Sequence, residues 1–227
     1  EHQLNDSGAE TIVVLSKLYP LVKEVAPKTC LKRIIVTNIK ECFPPLLWLL
    51  FTLLKEKRQG HRPEVERRPG TEWFSEMLNS APAKPPATTV GPDDPALLQY
   101  TGGTTGLSKG AVLTHRNLVA NTMQTGAWLM KPALSSVEGK NDGVEIFLGA
   151  IPFFHVYGMT VVMNLCISLG HTMVLLPQFK VQEVLETISK YRPTLFPGVP
   201  TMYVAINNYP EVGRYDLRSI KACLSGA

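Results

Sequence analysis

The 227-residue sequence lacks several patterns that would identify a common class of protein at once. Its net charge of +4 is too small and too dispersed to predict a nucleic-acid surface. The cysteines form no CxxC pair and no metal-finger spacing, and they lie at Cys30, Cys42, Cys166 and Cys223. Reduced thiols in a cytosolic protein are therefore the expectation.

Long apolar runs are missing as well. The longest, "PPLLWLLFTLL" from Pro44 to Leu54, is far shorter than the roughly 20 residues that a membrane-spanning helix needs. Lys55, Lys57 and Arg58 follow it directly. Two interpretations stay open: a buried helix whose cationic end suits the helix dipole, and peripheral membrane contact through residues 44–62. The polar N-terminus "EHQLNDSGAE" does not resemble a signal peptide.

What the sequence does contain is an alternation of short apolar runs and helical segments. "ETIVVL", "LKRIIVTNI", "ALLQYT", "VEIFLGAIP", "HTMVLL" and "PTLFPGVP" predict strands. Between them, patterns such as "VQEVLETISKYR" predict helices, and Thr114 is a candidate cap for one from about His115 to Leu129. "TEWFSEML" is predicted to begin a helix at Thr71, and "GMTVVMNLCISLG" is predicted to form one apolar helix that ends at Gly170. "GAVLT", from Gly110, is predicted to be the returning strand of a hairpin-like turn. This rhythm predicts an α/β fold whose parallel-sheet layers are flanked by helices.

A dense glycine and hydroxyl segment interrupts the alternation. "YTGGTTGLSKG" begins at Tyr100 and ends at Gly110. Glycines let the backbone approach a ligand closely, successive N–H groups bind anions, and a lysine supplies a charge for phosphate. The candidate phosphate-binding residues are Thr101, Gly102, Gly103, Thr104, Thr105, Gly106, Ser108 and Lys109. A glycine-rich turn without a ligand is the alternative.

Two well-known phosphate loops do not fit this segment. A P-loop needs Gly-Lys followed by Ser or Thr, whereas Lys109 lies between Ser108 and Gly110. The dinucleotide pattern GxGxxG is absent, since these glycines are spaced GGxxG. The segment instead resembles the signature of the adenylate-forming superfamily, Tyr-Thr-(Ser/Gly)-Gly-Thr-Thr-Gly-x-Pro-Lys-Gly. Its one departure is Ser108 at the proline position.

The resemblance extends over most of the chain. "AIPFFHVYGM" is similar to the superfamily's second core motif, and "PTLFPGVPTMY" to its acyl-pocket segment. "SIKACLSGA" is similar to the strand before the adenine-binding turn. "AVLTHRNL" and the apolar-then-basic segment resemble the long-chain fatty acyl-CoA synthetase branch. The implied fold is part of the large N-terminal domain of an acyl-CoA synthetase-like, AMP-binding fold.

The resemblance also implies roles. ATP, a fatty acid and coenzyme A would be the substrates, and Thr101 would be an oxygen ligand to Mg²⁺. His155 would be the catalytic residue beside the reacting carboxylate, although a histidine after two phenylalanines is by itself also typical of a core. The implied substrate-binding residues are Phe154, Tyr157, Met159, Gly198, Thr201 and Gly226. Ordinary core packing is the alternative for the side chains among them. Met159 stands where some relatives have a gating tryptophan.

The resemblance implies that further catalytic segments and a C-terminal domain lie beyond Ala227. We expect residues 1–80 to hold the end of a first α/β subdomain with the apolar and basic insertion and a linker. Residues 81–227 would hold a second α/β portion with the phosphate loop and acyl-pocket segments. The 227 residues alone are expected to be inactive. Adenylation of an aryl, amino or medium-chain acid, and a non-catalytic nucleotide-binding module, remain alternatives.

Overall fold

The computed structural model describes residues 1–66, 68–102, 106–130 and 144–226. The chain divides into two compact units. The first comprises Glu1–Val90 with Leu98–Val112, and the second comprises Gly91–Leu97 with Leu113–Ala227. In both units, strands and helices alternate along the chain, which confirms the α/β class predicted from the sequence.

The first unit is built around a parallel sheet. Its strands are β1 (Thr11–Leu15), β2 (Arg33–Thr37) and β3 (Thr71–Trp73), adjacent in that order. Its helices are α1 (His2–Asp6), α2 (Tyr19–Val25), α3 (Pro45–Leu54) and α4 (Phe74–Ser80). Short 3₁₀ turns occur at Ser16–Leu18, Ala26–Lys28 and Ile39–Cys42. A core of apolar side chains joins sheet and helix at Val14, Tyr19, Val22, Ile34 and Val36.

The prediction that a helix begins at Thr71 is wrong by three residues. Thr71 and Trp73 pair with Ile34 and Val36 of β2, so the segment starts as a strand and becomes helix α4 only at Phe74. Local start signals favoured a helix, but the ladder to β2 satisfies the same backbone groups. A pairing partner almost forty positions away is invisible in a local pattern.

The glycine segment lies between two paired strands, β4 (Pro95–Thr101) and β5 (Lys109–Thr114). This confirms the predicted returning strand. Helix α5 (His115–Met130) follows at once. Thr114 caps it as predicted, since its Oγ1 accepts from Asn117 N at 3.2 Å and its own N–H donates to Asn117 Oδ1 at 2.9 Å.

The second unit holds a parallel sheet in the order β7-β6-β8-β9. The strands are β6 (Ile146–Gly149), β7 (Thr172–Leu175), β8 (Leu195–Gly198) and β9 (Ala222–Ser225). Besides α5, the helices are α6 (Leu165–Leu169), α7 (Val181–Tyr191) and α8 (Pro200–Asn207), with a 3₁₀ turn at Val212–Arg214. A π-helix, Gly158–Asn164, leads into α6, which ends at the left-handed Gly170. The sequence predicted one continuous helix there.

Both faces of this sheet are covered by helices. Phe147 packs with Leu165 of α6 on one face, and Leu148, the next residue of β6, packs with Leu185 of α7 on the other. Successive side chains of a strand point to opposite faces, so the two clusters lie on opposite sides of the sheet. Strands buried on both faces are typical of parallel α/β sheets, and this arrangement directs the carboxyl ends of β6, β8 and β9 to one edge.

Membrane-spanning length is not reached by any helix in the part of the chain that the structure describes.

Candidate functional site

The predicted phosphate loop connects β4 to β5 in the first unit. Thr101 is the last residue of β4 and Lys109 is the first residue of β5. Gly102, Gly106 and Ser108 lie between them. Of the predicted loop residues, Gly103, Thr104 and Thr105 lie outside the described residues.

The described part of the loop is accessible to a ligand. Thr101, Gly102, Gly106 and Lys109 are exposed, and Ser108 is half-buried. Gly106 has φ +135°, a conformation that residues with a Cβ rarely adopt, so this position requires glycine. Thr101 supplies a hydroxyl, Gly102 and Gly106 supply flexible backbone, and Lys109 supplies an ammonium group at exposed positions of this connection. These groups are chemically suited to an anion.

Helix α1 holds both flanks of this loop, which the sequence analysis did not predict. The Tyr100 hydroxyl donates to Asp6 Oδ2 at 2.6 Å, and His2 Nε2 lies 2.8 Å from the Ser108 carbonyl oxygen. The hydrogen bond to Asp6 raises the pKa of Tyr100, so its phenol stays neutral. The Tyr100 ring also lies close to Gly110, where an added Cβ would come 3.0 Å from a ring atom. These contacts position the strand ends from which the loop emerges.

His155 lies in the segment after β6 and is exposed. Its Nδ1 accepts a hydrogen bond from the Tyr157 backbone N–H at 3.2 Å. A neutral imidazole that accepts through one nitrogen carries its proton on the other, so Nε2 is the donor. The Tyr157 backbone contact thus favours the tautomer of His155 that carries its proton on Nε2, which can donate to an anion.

Three predicted substrate residues meet at the carboxyl ends of β8 and β9. The Tyr157 ring lies against Gly226, where an added Cβ would come within 3.2 Å of it, and its hydroxyl donates to the Leu224 carbonyl at 2.8 Å. Gly226 N donates to Gly198 O at 3.2 Å. The strand termini and Tyr157 therefore form one connected group in the second unit.

Tyr203 of α8 belongs to the same group, although the sequence analysis did not select it. Its hydroxyl lies 2.7 Å from both the Phe196 and the Leu224 carbonyl oxygens, and its ring fills the space beside Gly198. Burial raises the pKa of Tyr157 to about 12 and that of Tyr203 further still. Both phenols are therefore neutral donors at physiological pH. Tyr203 contacts both β8 and β9, and Tyr157 binds β9, at the edge where ligands gather in open sheets.

The other predicted acyl-wall residues have different surroundings. Met159 is buried within the π-helix, whereas Phe154 is 81% exposed, and Thr201 is exposed in the first turn of α8. A common acyl-binding wall made of these residues stays a prediction.

A resident metal centre is not built from the described residues, since no group of three or more His, Cys, Asp or Glu side chains among them could hold an ion. Thr101 offers one hard oxygen. Magnesium usually takes only one or two protein ligands together with substrate phosphates, so a single hydroxyl beside a phosphate loop fits that use.

The parallel sheets and the glycine loop define an α/β fold of the adenylate-forming class. The chain belongs to the AMP-binding enzyme family, which matches it over residues 1–227. It is 39% identical to a long-chain-fatty-acid–CoA ligase of Bacillus subtilis (strain 168) over its full length, covering 39% of that protein. It is 32% identical to a 4-coumarate–CoA ligase of Humulus lupulus over 67% of its length, covering 27% of that protein.

A solved structure has the same fold. The long-chain-fatty-acid–CoA ligase of Archaeoglobus fulgidus superposes with a TM-score of 0.72 and 29% identity, covering all of this chain and 38% of that one. The chain thus spans about two fifths of the length of the relatives it matches in full.

Proposed function

We propose that the protein to which these residues belong is an AMP-forming ligase that joins a long-chain fatty acid to coenzyme A. The observation that carries the proposal is the exposed loop between β4 and β5, with glycine at a positive φ and Lys109 at its end. Membership of the AMP-binding enzyme family supports ATP as the nucleotide.

The loop residues Thr101 to Lys109 would bind the β- and γ-phosphates of ATP. The fatty acid's carboxylate oxygen attacks the α-phosphorus, the bond from that phosphorus to the bridging oxygen breaks, and pyrophosphate leaves. The backbone N–H groups and Lys109 would stabilise the charge of that leaving group. In the second step the thiolate of coenzyme A attacks the acyl carbon, and AMP leaves with the bonding electron pair.

Thr101 would hold Mg²⁺ through its hydroxyl, together with the phosphates of ATP. When bound, the ion neutralises phosphate charge.

His155 would donate from Nε2 to the carboxylate or the α-phosphate. Because the Tyr157 backbone already occupies Nδ1, the ring needs no tautomer change before it donates. Tyr157, Gly198 and Gly226 would form the adjacent surface for the adenylate, and Phe154, Met159 and Thr201 would contact the acyl chain. This assigns every predicted residue a role in binding or charge stabilisation.

The share of this chain that each group of relatives matches favours a long-chain fatty acid as the substrate. The long-chain-fatty-acid–CoA ligases of Bacillus subtilis and of Escherichia coli O157:H7 match the whole chain, whereas the 4-coumarate–CoA ligases match about two thirds of it. An aryl acid is therefore the second candidate substrate. A cytoplasmic protein that meets its amphiphilic substrate at the inner face of a membrane fits the first candidate.

The test is acid-dependent exchange of labelled pyrophosphate into ATP by the full-length protein, with palmitate and 4-coumarate compared. We expect palmitate to support faster exchange. Lys109→Ala should lower exchange by about 10²-fold, the effect of losing one preorganised charge-stabilising group. Lys180→Ala is the matched control, because Lys180 is an exposed lysine paired with Glu183 on α7.

Three outcomes would contradict the proposal. Faster exchange with 4-coumarate identifies an aryl-acid ligase. ATP binding without exchange identifies a non-catalytic nucleotide-binding module. Equal exchange rates of Lys109→Ala and Lys180→Ala would show that the loop does not bind the phosphates. The 227-residue piece by itself is expected to show no exchange.

A further inference from the structure

The carbonyl oxygen of Leu224 lies between two phenol groups. The Tyr157 hydroxyl donates to this oxygen at 2.8 Å, and the Tyr203 hydroxyl lies 2.7 Å from it. Leu224 is the penultimate residue of β9, where the strand reaches the carboxyl edge of the sheet. A carbonyl oxygen has two lone pairs, so it can accept a hydrogen bond from both hydroxyls at once. The two tyrosines are therefore coupled through one backbone atom.

The two tyrosines reach this oxygen from opposite faces of the sheet. Tyr157 packs against the core cluster that contains Phe147, whereas Tyr203 packs against the cluster that contains Leu148. Phe147 and Leu148 are successive residues of β6, so their side chains point to opposite faces. A shift of the β9 end toward either face would therefore lengthen one of the two hydrogen bonds.

Tyr203 also contacts β8. Its hydroxyl is 2.7 Å from the Phe196 carbonyl oxygen, and its ring meets the Phe196 ring edge-on with the ring centres 5.4 Å apart. An added Cβ at Gly198 would come 2.8 Å from Cζ of the Tyr203 ring, so the ring would have to move. Gly198 accepts a hydrogen bond from Gly226 N at 3.2 Å. Tyr203 thus adjoins both strands directly before the two glycines assigned to the adenylate surface.

The hydroxyl of Tyr203 is engaged within the sheet. It has a single proton, and two carbonyl oxygens lie 2.7 Å from it. Any effect of this hydroxyl on a ligand is therefore transmitted through the backbone of β8 and β9.

We propose that Tyr203 is a positioning residue for the adenylate, because it holds Leu224 from the face opposite to Tyr157 and so fixes the edge formed by Gly198 and Gly226. This role rests on the proposed function, in which Tyr157 and the two glycines form the surface for the adenylate. It adds a residue of α8 that sets nucleotide affinity through the strand ends.

The first test is binding of AMP to the full-length protein, measured by isothermal titration calorimetry. AMP is used because its binding requires neither the acid nor coenzyme A. Tyr203→Phe removes the hydroxyl and keeps the ring beside Gly198, and circular dichroism checks that the variant is folded. We expect the dissociation constant for AMP to rise about fivefold, which is the effect of one hydrogen bond.

Two controls separate positioning from a general loss of stability. Ile188→Val removes one methyl group from the buried cluster against which Tyr203 packs, so it should lower stability by a similar amount and leave AMP affinity unchanged. Tyr209→Phe removes a phenol hydroxyl beside the same cluster, where the Tyr209 ring faces that of Tyr215 at 6.4 Å. It should also leave AMP affinity unchanged.

The second test uses the two Michaelis constants of the exchange reaction. Tyr203→Phe should raise KM for ATP by about fivefold and leave KM for pyrophosphate unchanged, because pyrophosphate would bind the loop between β4 and β5 and not the edge of β8 and β9. Lys109→Ala should show the reverse pattern, with a higher KM for pyrophosphate and an unchanged affinity for AMP.

Several results would overturn the proposal. One is a wild-type protein that does not bind AMP, and another is an equal dissociation constant for wild type and Tyr203→Phe. An equal loss of affinity in Ile188→Val would show that stability is the cause, and a parallel rise of both Michaelis constants would show a general disturbance. A Tyr203-dependent affinity for AMP in a protein without exchange activity would support the positioning role and contradict the ligase proposal alone.

Discussion

Replacing Lys221 by methionine should destabilise the protein strongly at neutral pH and much less in mild acid. Lys221 Nζ lies 2.8 Å from Glu145 Oε1, and their side chains are only 18% and 5% exposed. The two residues precede β9 and β6, which flank β8, so the pair links strands that are not neighbours. The second oxygen of Glu145 has no hydrogen-bond partner among the described residues.

The size of the effect follows from the burial of this pair. Removing one member of a buried ion pair costs about 3–5 kcal/mol, because the other charge stays buried without compensation. The partial exposure of Lys221 favours the lower end, about 3 kcal/mol. Lys180→Met is the control, since Lys180 and Glu183 form an exposed pair at 2.6 Å for which about 0.5 kcal/mol is expected.

The dependence on pH has a definite sign. Burial raises the pKa of Glu145, but the hydrogen bond from Lys221, the nearby Thr194 hydroxyl and the attraction to Lys221 and His171 together lower it more, so the pKa of Glu145 in the folded protein lies below its ordinary value of 4.5. The pair therefore contributes stability above pH 4.5, and this contribution is lost as pH falls through the folded pKa. Without Lys221, burial remains the largest influence, so the pKa of Glu145 rises relative to its value in the wild type.

The assay is urea unfolding of wild type and Lys221→Met at pH 7 and pH 4.5, followed by circular dichroism. The loss of stability should shrink toward pH 4.5, because a larger fraction of Glu145 in the variant is then protonated and carries no buried charge. Adding Glu145→Gln to the variant should restore part of the stability at pH 7. A loss below about 1 kcal/mol at pH 7, or an equal loss at both pH values, would refute the reasoning.

Two further changes test the second unit by urea unfolding. Tyr203→Phe removes the hydroxyl between the Phe196 and Leu224 carbonyls and should lower the free energy of unfolding by about 1–2 kcal/mol. The control Tyr191→Phe, at a half-exposed tyrosine, should lower it little. Equal losses in the two variants would exclude the hydroxyl as the cause. Thr114→Val removes the cap of α5 and should lower the free energy of unfolding by about 1 kcal/mol, whereas Thr114→Ser keeps the capping hydroxyl and should retain most of the stability. A Ser variant as unstable as the Val variant would show that the cap contributes nothing.

Much of the fold could be predicted from local patterns. Runs such as "HTMVLL" became strands and "VQEVLETISKYR" became helix α7, because apolar spacing decides which local structure can bury its face. The helix cap at Thr114 and the helix end at Gly170 could also be predicted, because each depends on a few neighbouring residues. The glycine loop was found between its two strands for the same reason.

Contacts between residues that are far apart in the sequence could not be predicted from local patterns. β3 was missed because its ladder partner is β2, and Tyr203 was missed because its role depends on carbonyl groups of β8 and β9. The helix at Pro45–Leu54 was left between two interpretations, and only the packing of Phe51 shows which side faces outward.

The sequence by itself determined the alternation of strands and helices, the phosphate-type loop and the resemblance to adenylate-forming enzymes. These properties depend on residue types at short spacing along the chain, and such local patterns do not depend on contacts between distant residues. The tertiary structure decided which tautomer of His155 is favoured, which tyrosines contact the strand ends, and which side of α3 faces outward. Those properties depend on groups as far apart as Tyr157 and Leu224, 67 positions along the chain, and only the packed sheet brings them within hydrogen-bonding distance.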